Sequence, residues 1–249
     1  MKIIKHLRSD WFRYGFETLA VIVGILAAFA LENWRDSLEV KKEEHEILVN
    51  LLNDLKEAES QSEKSIAEET ASRKHLIWAL LAKAGGDSLP SIVFSDSIIY
   101  DVIWDIGMNA PVINAYSDMK NTGKTGLISN EKIRQSFTSL ELGINNVLAQ
   151  VNDRLRVQQL RIDEIAVNDL NYVRLSSLRI PEIPTSMEAE NDYRILLADQ
   201  RIRNLIAIKL NLTIAVLRYR LELDAEIKSL ITMLEDEIAY IPEKVKRHL

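Results

Sequence analysis

Two carboxylates bracket the most apolar stretch of the chain, and they are the first residues whose placement could carry chemistry. Glu17, Ala20, Gly24, Ala28 and Glu32 are separated by three and then repeatedly by four residues, so on a helix they form one stripe, small along its length and acidic at both ends. Small residues let membrane helices approach closely where apolar burial gives no advantage over lipid. A carboxylate is better tolerated there beside a partner or water than beside hydrocarbon. The stripe predicts self-association through this helix. Repeated around the axis of an oligomer it would instead line a narrow cation path or relay a change across the membrane. A lone anchor with incidental small residues has the same sequence.

A second group, Tyr100, Asp101, Trp104, Asp105, Met108 and Tyr116, gathers aromatic, soft and acidic side chains in the least repetitive part of the chain, and forms the candidate partner surface. The competing reading is that the rings only pack short elements against long helices. Other motifs fail on inspection. Gly123-Lys124-Thr125 imitates the end of a phosphate-binding loop, but Asp118 stands where that loop needs glycine. His6, His45, His75 and His248 are scattered, and none has a Glu three residues before it as di-iron bundles require. The run Glu43, Glu44, His45, Glu46 reads as a solvated face. Asn211-Leu212-Thr213 matches a glycosylation pattern but falls within a helix. The absence of cysteine removes disulfides, thiolate zinc sites and a thiol nucleophile together. No catalytic set, metal site or cofactor site is expected, and the chain is not expected to be an enzyme. The net charge of −6 is spread along the sequence without a basic face, so nucleic acid is not an expected partner.

The elements that would position these residues are helices. Leu, Ile, Ala, Glu, Lys and Arg dominate, whereas only eight glycines and five prolines are available for turns, which predicts an all-α fold of long helices. Residues 19–31 are uninterrupted apolar. A span needs about 20 such residues, so the flanks must contribute: Trp11, Phe12 and Tyr14 at one end, Trp34 and Arg35 at the other, are the interfacial anchors. A cleaved signal peptide competes, because Lys2, Lys5 and Arg8 precede an apolar run ending in Ala28-Phe29-Ala30. Glu17 interrupts that run, and nothing breaks the helix at Ala30. With Lys2, Lys5, Arg8 and Arg13 before the span and only Asp10 against them, the N-terminus is expected in the cytoplasm and the rest outside.

The resulting division is a cytoplasmic N-terminus over 1–10, a transmembrane helix over 11–34, and a first stalk helix over 35–84 that continues from it and stops at Gly85-Gly86-Asp87. A distal cap of short helices follows over 85–128, with elements closed by Gly107 and Gly123. A second long helix over 129–175 is capped by Ser129 or Asn130. A Pro-containing loop over 176–186 carries Pro181 and Pro184, and a third helix over 187–241 precedes a basic tail over 242–249. Leu205, Ile208, Leu212, Val216, Tyr219, Leu223, Ile227, Leu230 and Leu234 mark a packing seam on the third helix. The economical topology is an up-down-up antiparallel bundle, with the proline loop beside the membrane and the C-terminus far from it.

Several of these pieces together resemble a known group. Gly24-Ile25-x-x-Ala28 with Asn33-Trp34-Arg35, Ile47-Leu48-x-x-Leu51-x-x-Asp54-Leu55, Ala115-Tyr116-x-x-Met119-Lys120-x-x-Gly123 and Gly126-Leu127-Ile128-Ser129-Asn130 resemble an uncharacterised bacterial family with an N-terminal membrane anchor, over roughly the first 140 residues. The resemblance implies a bacterial inner membrane protein and supplies no activity. The functional expectation is a single-pass, self-associating helical protein with a structural or interaction role, whose partners are lipid, its own copies and a periplasmic protein. The alternative is an oligomeric conducting or sensing protein that uses the Glu17 to Glu32 stripe.

Overall fold

The computed structural model describes residues 3–82, 94–104 and 107–240, with side chains from residue 15 onward. The Gly85-Gly86-Asp87 stop, Asp105, the basic tail and the side chains of Trp11, Phe12 and Tyr14 lie outside the described residues. Within them the chain is helical, and no strand occurs.

A single helix, α1 (Ile3–Leu81), carries the apolar segment directly into the bundle. No glycine or proline lies between Gly24 and Gly85 to interrupt it, and 79 residues at about 1.5 Å each make a rod on the order of 120 Å long. From Gly15 to Ile47 the rod has no buried residue; its first is Leu48. From there a strict heptad seam appears. Leu48, Leu51, Leu55, Ala58, Ser62, Ser65, Glu69, Leu76 and Ala79 are buried, and half-buried Ser72 fills the remaining position.

The chain then returns toward the apolar segment. α2 (Asp96–Ile103) starts on Ser95, whose hydroxyl accepts from the Ile98 N–H, and it packs on Leu76 and Ala79 at the far end of the rod. Residues 107–113 run back along α1, and α3 (Asn114–Asn121) lies lower still. Ile113, the residue that caps α3, has no side chain able to bond the free N–H groups, and Asp54 of α1 does so instead, accepting from the Ala115 N–H at 2.7 Å. We expect Asp54→Ala to leave that donor unpaired, with a loss of about 1 kcal/mol. In a thermal melt followed by circular dichroism this lowers Tm by about 2–4 °C. α3 closes on Gly123, whose φ of 71° lies in the left-handed region that glycine enters without strain. Lys124 then pairs with Glu43 at 2.7 Å, and the Ser129 N–H and hydroxyl both donate to Glu44. The return leg therefore ends beside the end of the bundle nearest the apolar segment.

α4 (Glu131–Val157), capped by the Asn130 side chain, leads away again. A π turn at Gln158–Ile162 and the short helices α5 (Asp163–Asn168), α6 (Tyr172–Ser176) and α7 (Tyr193–Ala198) build the far end. α8 (Gln200–Tyr240) comes back down between α1 and α4. Its direction is fixed by a ladder of pairs: Arg203 with the Leu80 carbonyl, Lys228 with Glu63 and Lys56 with Glu235 along α1, and Thr213 with Arg154 and Asn130 with Glu237 along α4.

The legs thus alternate up, down, up and down. Three features differ from the sequence reading. The return leg runs through residues 94–130, so α4 runs away from the apolar segment and α8 toward it; the proline loop lies at the far end, where Arg179 lies over Tyr100 at 4.7 Å, and the C-terminal end of α8 faces the side of the apolar segment. The far end is closed by α2 together with α5 to α7, while α3 lies low on the bundle. The second and third helices are also shorter than expected. Gln158 turns its amide to the Ile103 carbonyl and to Asp163 at the π turn, and Asp192 and Asp199 accept from the N–H groups that follow them, starting new helices where an uninterrupted one is expected.

Candidate functional site

Three helices carry heptad seams into the interior, and each seam has a polar interruption. On α4 the seam is Ile133, Phe137, Leu140, Ile144, Val147, Val151, Arg154, and Gln158 follows at its end. On α8 it runs Ile202, Ile206, Lys209, Thr213, Val216, Arg220, Leu223, Ile227, Leu230, Leu234, alternating fours and threes without a break. Ser62, Ser65 and Glu69 of α1, Arg154 and Gln158 of α4 and Lys209, Thr213 and Arg220 of α8 are the buried polar positions of these seams, and Glu69, Arg154, Thr213 and Arg220 meet one another in a polar layer. The layer divides the apolar interior into a cluster toward the apolar segment, around Leu51, Phe137 and Leu230, and a far cluster around Leu76, Ile99 and Ile202.

At its centre stands Glu69. Arg154 grips it with both terminal nitrogens, Nη1 to Oε2 at 2.6 Å and Nη2 to Oε1 at 2.8 Å, and Arg220 Nε lies 3.5 Å from Oε1. All three side chains are only 3% exposed. The two arginines also hold the return leg: Arg154 Nη2 donates to the Gly107 carbonyl and Arg220 Nη1 to the Asn109 carbonyl. Gln158 and Lys209 do the same higher up, to the carbonyls of Ile103 and Val102. An irregular segment leaves its backbone carbonyls without helical partners, and burial without partners costs about 1–3 kcal/mol each. Here charged side chains supply those partners. Burial lowers the Arg220 guanidinium from its ordinary value, the Glu69 carboxylate opposes that shift, and the neighbouring Arg154 adds to it. The cluster holds two cations and one anion away from water.

The candidate partner surface is not one surface. Tyr100, Asp101 and Trp104 share the far end: Tyr100 is buried under Arg179, Asp101 pairs with His75 at 3.3 Å, and Trp104 meets Tyr172 at a tilt of 45° with ring centres 5.0 Å apart. Nearby, Tyr193 donates to Asp96, and burial followed by that bond pushes its hydroxyl well above the ordinary tyrosine value. Met108 stands half-way down beside the polar layer and is half exposed. Tyr116 lies lower again, stacked on Phe137 at 4.8 Å.

The stripe residues Glu17, Ala20, Gly24, Ala28 and Glu32 and the anchors Trp34 and Arg35 are all exposed, and nothing lies within 4 Å of a Cβ built on Gly24. Phe16, Leu19, Val21, Leu26, Phe29 and Leu31 are each more than half exposed around them. This segment is long and apolar enough to cross a membrane, and none of it is buried against the bundle. A signal sequence passes the same test.

Glu69, Arg154 and Arg220 were absent from the candidates drawn from sequence. Charged residues at those places look like solvated positions until the heptad frame is extended from Ile202 and Ile206, when Lys209, Thr213 and Arg220 fall on the seam. Among family models, curated proteins and solved structures, none matches the chain.

Proposed function

We propose that the chain is a single-pass membrane protein whose N-terminal helix tethers a helical bundle outside the cytoplasm, and that it serves a structural or protein-interaction role as a self-associating assembly. The observation that carries the reading is an uninterrupted apolar stretch from Leu19 to Leu31, exposed on every side, on the same unbroken helix as the bundle core. Exposed apolar surface on this scale is covered by lipid or by another protein. A cleavage after Ala30 would cut within a continuous helix, which favours retention of the segment. The basic N-terminal residues favour a cytoplasmic N-terminus in a bacterial inner membrane, with the bundle in the periplasm. The Gly24 face gives copies of the helix a surface for close approach.

The self-association is tested by the mass of the full-length protein in mild detergent, measured by light scattering. We expect an oligomer for the native chain and a monomer for Gly24→Leu. Monomers in both samples would refute self-association, and equal oligomers in both would remove the contact from the stripe. The orientation is tested by C-terminal fusions. A reporter active only in the cytoplasm should stay silent, and its activity would reverse the assignment.

A further inference from the structure

We draw no further inference here: the strongest candidate, the apolar cleft between the 110–113 segment, α3 and α4, lined by Val112, Tyr116, Phe137, Ile144 and Leu148 beside the Lys120–Glu141 pair, is an open face, and nothing in the structure shows what covers it.

Discussion

Glu69→Gln lowers the unfolding temperature of the bundle by on the order of 10 °C. The carboxylate it removes is the anion between two guanidiniums that are only 3% exposed. Breaking a buried ion pair from one side costs about 3–5 kcal/mol, because the remaining charge stays buried without compensation, and each kcal/mol corresponds to about 2–4 °C in a domain of this size. Here the uncompensated charges are two. They also repel each other, so the effect belongs at the upper end of that range. The companion variant is Glu69→Met with Arg154→Leu and Arg220→Met. Apolar replacement of a whole buried charge set is often neutral or stabilising, so this triple variant should recover much of the loss. It would still surrender the bonds to the Gly107 and Asn109 carbonyls. Thermal melts by circular dichroism compare all three proteins. A Glu69→Gln Tm within 2 °C of native would remove the cluster from any part in stability.

Val23→Lys with Leu26→Lys has the other large effect. Both residues are more than half exposed in the apolar segment and touch no part of the bundle core. A lysine near the centre of a spanning helix costs about 2.5–3.5 kcal/mol, so two cost about 5–7 kcal/mol, close to four or five decades in partition at about 1.4 kcal/mol per decade. The variant should leave the membrane fraction on ultracentrifugation, while the melting of its bundle stays native because the substitutions lie outside the core. Loss of the bundle transition as well would mean that the apolar segment packs on the domain.

How much of this was legible in the sequence depended on how strongly each pattern exceeded its surroundings. The all-α class followed from composition, and the unbroken α1 from the lack of glycine or proline across its length. The seam of α8 was legible where it is apolar: Val216, Leu223, Ile227, Leu230 and Leu234 are buried. Above Val216 an apolar count drifts to Leu205, Ile208 and Leu212, and Ile208 is 44% exposed, because the true seam there is Lys209 and Thr213. On α1 the stretch after Glu57 is polar in sequence, although Ala58, Ser62 and Ser65 hold the heptad frame there with small buried side chains. Helix direction was illegible for a different reason. The return leg is fixed by single contacts from Asp54, Glu43 and Glu44, distant in sequence from the groups they bind, and no local periodicity encodes such pairs.

The measurement that tests the membrane assignment most directly is the intact mass of the chain recovered from membranes washed in alkaline carbonate. The chain should stay in the pellet with the residues up to Ala30 still attached, at the 28.5 kDa of the sequence rather than a shortened mass. A chain found in the supernatant, or one shortened by the residues up to Ala30, would contradict it.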